Sequence, residues 1–211
     1  MKIGIVIPYY ENSEEAKERM EYLLDIISPQ IKKNIELVVI DDGMSALWLD
    51  EYSKKNIEII HMHHVGVSES RNIGIRHLKK RKCEYIGFID GDDSVSNDYI
   101  EEAYKVCKEG LYDYIDSRYI QSGVEVFGTR ELANKQLNIV RNGVAGAFFS
   151  SKLIGKVEFD KELKNGEDTD FVRKVVDISK IKKGLFKGMY VYNYGVNPES
   201  IIMRCQKGEE L

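Results

Sequence analysis

The chain has 211 residues, 43% of them hydrophobic, with 31 Lys plus Arg against 35 Asp plus Glu for a formal charge of −4. That is apolar material enough for one sizeable core, and the slightly acidic balance argues against a dedicated binder of nucleic acid or anionic membrane. Cys83, Cys107 and Cys205 lack CxxC or Cys/His ligand spacing, the apolar run Met1 to Pro8 is too short for a signal segment, and no window reaches a membrane span of ~18 apolar residues; a cytoplasmic protein is expected, without structural zinc, disulfides or a transmembrane segment.

The first half alternates short apolar runs with amphipathic stretches, the pattern of βαβ units and a largely parallel α/β sheet. Ile3 to Pro8 reads as a buried strand. Asn12 with Glu15 forms a candidate capping box, and Ala16, Met20, Leu23, Leu24 and Ile27 then fall at helical spacing until Ser28-Pro29. Ile35 to Ile40 is a second strand, followed by Asp41-Asp42-Gly43, a helical stretch through Leu47 and Leu49, and a third strand from Ile57 to His61. A helix is expected from Ser68 to Lys80 with Ser68 as its cap, then a strand from Glu84 to Ile89. Ser96 or Asn97 caps a further helix with Tyr99, Ile100, Ala103, Tyr104 and Cys107 inward.

The pattern changes beyond Leu111. Tyr112 to Asp116 and Val124 to Phe127 read as strands, Glu131 to Val140 as a short helix, Asp168 to Val176 as a helix and Met189 to Tyr194 as a late strand. The change near residue 110 suggests one continuous domain in two parts, 1–110 for a nucleotide and 111–211 for an acceptor.

Chemistry concentrates at strand ends. Pro8-Tyr9-Tyr10, Asp41-Asp42-Gly43 and Asp90-Gly91-Asp92-Asp93 each follow a strand, and in open α/β sheets ligands bind beyond the carboxyl ends of the strands. Carboxylates gathered there repel unless a cation intervenes, and Mg²⁺ or Mn²⁺ with oxygen ligands suits them. Taken singly, Asp-Asp-Gly is an ordinary turn and Tyr9 an ordinary core aromatic. His61, His63 and His64 read as solvent-facing loop residues rather than metal ligands.

Taken together, Ile5-Val6-Ile7-Pro8-Tyr9-Tyr10, Val38-Val39-Ile40-Asp41-Asp42-Gly43, Gly66-Val67-Ser68-Glu69-Ser70-Arg71-Asn72-Ile73-Gly74, Tyr85 to Asp93 and Gly166-Glu167-Asp168-Thr169-Asp170-Phe171 occur in an order that resembles glycosyltransferase family 2, the inverting enzymes of GT-A fold. One departure is Met44, which stands before Ser45 where the second motif usually continues directly with Ser.

The resemblance implies a GT-A-like (Rossmann-like) fold: a mixed, mostly parallel central sheet flanked by helices, with a small acceptor-side lobe. It implies metal-dependent transfer of a sugar from a nucleotide diphosphate donor, most commonly a UDP-sugar, to an acceptor hydroxyl with inversion. Pro8, Tyr9 and Asp41, with Glu11 beside them, would bind the donor's nucleoside, and Arg71 would face its diphosphate. Asp90 and Asp92 would hold Mn²⁺ or Mg²⁺, with Asp93 a further contributor and Asp90 also near the ribose. Asp168 would be the general base and Glu167 its orienting neighbour. Ser200 and Arg204 would belong to a lid over the diphosphate.

The acceptor stays open between a glycan, a lipid-linked sugar, a protein and a modified nucleobase, and its selection is expected between Leu111 and Lys164. Two other readings bear on the same residues. A nucleotidyltransferase would want a Gly- and Lys-rich loop after the first strand, where Glu11, Glu14 and Glu15 stand instead. A non-catalytic nucleotide-sugar-binding protein would not need Asp90, Asp92 and Asp168 together.

Overall fold

The computed structural model describes residues 1–121, 124–127, 143–176 and 180–192. The expected helix from Glu131 to Val140, the lid residues Ser200 and Arg204, and Cys205 lie outside the described residues.

Four parallel strands form one side of a mixed sheet: β1 (Ile3–Tyr9), β2 (Ile35–Asp42), β3 (Ile57–Met62) and β4 (Tyr85–Phe88). The sheet order is β3-β2-β1-β4-β8-β6-β9-β5, where β5 is Ser94–Val95, β6 Tyr114–Gln121, β8 Phe148–Ser150 and β9 Lys183–Tyr192; β7 (Val124–Phe127) pairs with β6 outside this path. β8 is antiparallel to both β4 and β6, while β6 and β9 run parallel. A single sheet therefore crosses residue 110, joined through the β4–β8 pairing.

Alternation along β1 explains the layering. Ile3, Ile5 and Ile7 face one apolar cluster, together with Met20, Leu23, Leu24 and Ile27 of α1 (Glu14–Ile27). Two further helices follow, α2 (Val67–Lys80) and α3 (Tyr99–Glu109), and α3 adds Ile100, Ala103 and Cys107 to that cluster. Val6, Val38, Ile40 and Phe88 face the opposite cluster, with Ile75 and Leu78 of α2. The short helix α4 (Ser151–Ile154) adds Ile154 there, and α5 (Glu167–Val175) adds Phe171, Val172 and Val175. Each fully buried Leu, Ile or Phe is worth about 1.5–3 kcal/mol, so both faces anchor the sheet.

Two glycines bring α2 close to β1. A Cβ on Gly74 would lie 2.4 Å from Cγ1 of Val6, and one on Gly4 would lie 2.7 Å from Cδ1 of Leu78. The helix that carries Arg71 thus rests directly on the strand that ends at Pro8-Tyr9.

Several boundaries differ from the sequence expectation. Ser13, not Asn12, caps α1, accepting from the Ala16 amide at 3.2 Å. Gly66, at φ 87°, precedes α2 and leaves Ser68 inside it; Asp98 precedes α3. The Leu47–Lys55 stretch is 3-10 rather than α-helical. Strands β5 and β8 have no counterpart in the sequence reading.

Candidate active site

The ends of β1, β2 and β4 converge as their parallel register requires. Tyr9 pairs with Asp41 across β1 and β2, and a Cβ on Gly91 would lie 3.0 Å from Cδ2 of Tyr9 and 3.3 Å from the Pro8 carbonyl oxygen. Glycine at 91 lets the Asp90–Asp93 turn settle onto Pro8-Tyr9.

Arg71 is the hub of this edge. Its Nη2 donates to Asp90 Oδ1 at 2.8 Å, and its Nη1 to Asp168 Oδ1 at 2.6 Å and Glu167 Oε1 at 3.0 Å. The residue is 3% exposed, and Nε is buried without a hydrogen-bond partner among the described residues. Burial disfavours its charge, but Asp168, Asp90 and Glu167 outweigh that and raise its pKa further. The sequence expectation turns this fork toward a diphosphate; in this structure its two terminal nitrogens bind carboxylates from the turn after β4 and the start of α5.

Asn72 supports the same junction. Its side chain donates to the Phe159 carbonyl at 2.9 Å and accepts from the Phe159 amide at 2.7 Å. The Phe159 ring stacks on Phe171 of α5, with centroids 4.0 Å apart, and the Arg71 guanidinium lies 5.3 Å from the Phe159 centroid. Adjacent residues of α2 thus hold α5 twice, once by charge and once through a loop backbone.

Asp168 is held further by the Val144 amide, 3.4 Å from Oδ2. Burial pushes its carboxyl up to about 6; Arg71 pulls it down, while Asp90 and Glu167 push it up again. A carboxyl tuned toward neutrality suits a general base.

The aspartate turn is pinned from β9. The Tyr190 hydroxyl donates to Asp93 Oδ2 at 2.6 Å and accepts from the Asp90 amide at 3.1 Å. Tyr190 is fully buried and stacks on Tyr119 at 5.9 Å; burial, then Asp93 and Asp90, raise its pKa well above the phenol range, so it stays a donor. Gly146, at φ 78°, lies against this ring, where a Cβ would be 2.7 Å away.

Asp90 and Asp92 offer hard oxygen donors on one tight turn, closed by the Asp93 amide donating to the Asp90 carbonyl at 3.1 Å, and both residues are half-buried. Among the described residues no group of three or more His, Cys, Asp or Glu is placed to hold a metal ion. The donor set fits Mg²⁺ or Mn²⁺ bound through one or two carboxylates and substrate phosphates, not an all-protein cage.

At the end of β2, Asp41 is fully buried. Its Oδ2 accepts from His61 Nδ1 at 2.6 Å and the Ala46 amide at 3.3 Å, while Oδ1 has no hydrogen-bond partner among the described residues. Asp42 accepts from the amides of Val65 and Gly66, at 2.6 and 2.9 Å, shaping the entry to α2. Tyr9 is 5% exposed, with its hydroxyl 3.2 Å from Glu11 Oε2, an oxygen that also accepts from Trp48. The exposed ring is Tyr10, beside Gly43 and 4.6 Å from the His64 ring.

His63 and His64 are exposed as expected, but His61 is not a free loop residue: its Nε2 also meets Asp50 Oδ1 at 3.0 Å. Sequence reasoning missed Tyr190 and the structural engagement of His61 and Asn72, whose partners lie on distant elements. A separate cleft of about 530 Å³, lined by Lys32, Lys33, Glu58 and Arg81 among others, opens where β2 and β3 begin, the opposite end from these carboxylates.

A mixed sheet of this order, with carboxylates collected beyond its parallel strands, defines a GT-A-type fold. Residues 4–164 match the model of the glycosyl transferase family 2, and the chain belongs to that family. It is 27% identical over 227 aligned positions to the minor teichoic acid biosynthesis protein GgaA of Bacillus subtilis, covering 95% of this chain and 49% of that protein. It is 26% identical to the glycosyltransferase GlyA of Streptococcus pneumoniae, covering 90% of this chain and 30% of that protein. The chain thus spans half or less of these relatives' length.

Among solved structures, S. aureus TarS 1–349 in complex with UDP-GlcNAc superposes with a TM-score of 0.71 at 18% identity, covering 92% of this chain and 60% of that one. The mannosyltransferase PcManGT from Pyrobaculum calidifontis, in complex with GDP-Man and Mn²⁺, gives 0.64 at 16% identity, with 92% and 58% covered. Among the described residues no helix is long and apolar enough to cross a membrane.

Proposed function

We propose that the chain transfers a sugar from a nucleoside diphosphate, with uridine as the carrier, to an acceptor hydroxyl by a single inverting displacement. The observation that carries this reading is the Arg71 hub, which joins Asp90 of the donor-side turn to Glu167 and Asp168 of α5 in one network. Family membership supports the reaction class, and TarS with UDP-GlcNAc supports the carrier.

Asp168 takes the proton of the attacking hydroxyl as its oxygen bonds to the anomeric carbon. The anomeric carbon–oxygen bond to the phosphate breaks, and the nucleoside diphosphate leaves with the electron pair. Arg71 holds Asp168 in place, and Glu167 accepts from the same Nη1 of Arg71. Asp90 and Asp92 would hold Mn²⁺ or Mg²⁺, which supplies charge neutralisation for the departing diphosphate. Pro8, Tyr9, Glu11 and Asp41 form the nucleoside end of the crevice, with Tyr10 offering the exposed aromatic face.

GgaA, through its named role in minor teichoic acid biosynthesis, supports a hydroxyl of a teichoic-acid-type polymer as acceptor. We place the acceptor-selecting residues between Leu111 and Lys164 and the reaction in the cytoplasm, where the free, buried Cys83 and Cys107 stay reduced.

A thermal-shift screen of nucleoside diphosphates with and without Mn²⁺ tests the donor site. At a hundred times its dissociation constant a ligand adds about 2.7 kcal/mol. A Mn²⁺-dependent rise with UDP that disappears in Asp92→Ala is expected; no rise with any nucleoside diphosphate would refute the reading.

A further inference from the structure

Asp41 is a buried carboxylate whose two oxygens have different surroundings. Oδ2 is saturated: a carboxylate oxygen has two lone pairs, and His61 Nδ1 and the Ala46 amide take both. Oδ1 is equally buried and has no partner among the described residues. Leaving such an acceptor unsatisfied is costly, so a ligand N–H delivered to Oδ1 is favoured beyond an ordinary exchange with water.

His61 is fixed in this task from both sides. It stands on β3 opposite Asp41 in the parallel register, and Asp50 from the Leu47–Lys55 stretch holds its other nitrogen at 3.0 Å. The hydrogen bond to Asp41 raises the imidazole pKa, as does that to Asp50, against the opposing effect of burial. A ring that donates from both nitrogens follows from that placement.

We propose that His61 determines which nucleobase the donor site accepts, by masking one oxygen of Asp41 so that Oδ1 is left as its single open acceptor. This rests on the donor-site reading above. The edge of uracil offers one N–H, flanked by two carbonyl oxygens. A bare carboxylate would set its second oxygen against one of those carbonyls, whereas an oxygen already covered by imidazole N–H repels it less. Guanine offers two neighbouring donors, N1–H and the 2-amino group, and is matched by a carboxylate with both oxygens open. His61 therefore favours the uracil edge and disfavours guanine, although it touches neither.

The test is titration calorimetry of UDP and GDP, in Mn²⁺, against the whole chain and its His61→Ala and His61→Asn variants. The wild type should bind UDP at least about tenfold more tightly than GDP, the scale of one hydrogen bond to a charged group. His61→Ala frees a lone pair on Oδ2, and the UDP-to-GDP preference should fall by about tenfold. His61→Asn, whose amide nitrogen falls near the position of Nδ1, should keep the preference.

Equal wild-type affinities, or an unchanged ratio in folded His61→Ala, would overturn the assignment of His61 while leaving a nucleotide site in place. The wild-type ratio alone can overturn it if His61→Ala does not fold. Binding of neither nucleotide to the wild type would reject the donor-site reading itself, and this inference with it.

Discussion

Arg71 Nη1 lies 2.6 Å from Asp168 Oδ1, pairing residues 97 positions apart in sequence. The same guanidinium also binds Asp90 and Glu167, so one buried cation faces three carboxylates. Breaking a buried ion pair from one side leaves charge uncompensated and typically costs about 3–5 kcal/mol. Arg71→Met should therefore lower the melting temperature by about 10 °C or more and abolish transfer, as read by calorimetry and product release. Arg71→Lys keeps the charge but not the fork that reaches both the β4 end and α5; it should fold and lose most of the activity. Wild-type turnover in Arg71→Lys would show that the hub is structural only.

With Asp168 as the proposed base, its carboxyl should set the pH dependence of transfer. Its carboxyl is raised to about 6, and a general base works only when deprotonated. The rate should therefore be flat above that value and fall about tenfold per unit as pH drops below it. A kcat/KM profile with no acid limb between about pH 5 and 7 would contradict the assignment.

Tyr190→Phe removes one oxygen and keeps the ring. Asp93 loses a charge-assisted hydrogen bond and the Asp90 amide loses its acceptor, a combined cost of about 1.5–3 kcal/mol. The melting temperature should drop by several degrees, and the Mn²⁺ concentration for half-maximal activity should rise as the turn loosens. An unchanged Mn²⁺ requirement would separate Tyr190 from the geometry of the turn.

Gly74→Ala tests how closely α2 must approach β1. The added Cβ would meet Val6 at 2.4 Å, and overpacking of this kind costs about 1–3 kcal/mol. Because Arg71 lies one helical turn away, activity should fall more than the melting temperature accounts for. Activity tracking the folded fraction alone would limit Gly74 to packing.

The sequence showed the parallel half of the sheet well, because Ile3, Ile5 and Ile7 and the run ending at Asp41-Asp42 carry their own periodicity and turn signals. It also showed that Pro8, Asp41 and Asp90 share an edge, since that follows from parallel strands alone. Strand β8 stayed hidden: Phe148–Ser150 is three residues long and buried throughout, so no alternation marks it. The caps at Ser13 and Gly66 were each misplaced by one or two residues: Asn12 and Ser13 offer the same capping chemistry, and Gly66 starts α2 with no side chain to signal it. Tyr190, Asn72 and His61 act through partners 97, 87 and 20 residues away, a relation that no local pattern encodes.

The most direct test of the account is donor turnover by Asp168→Asn. Asparagine keeps the size of the side chain but cannot take a proton from an attacking hydroxyl. Release of UDP from a UDP-sugar in the presence of acceptor should fall by about a hundredfold or more, with UDP binding retained. Wild-type turnover in the folded variant would contradict the assignment of Asp168 as the base on which the proposed displacement depends.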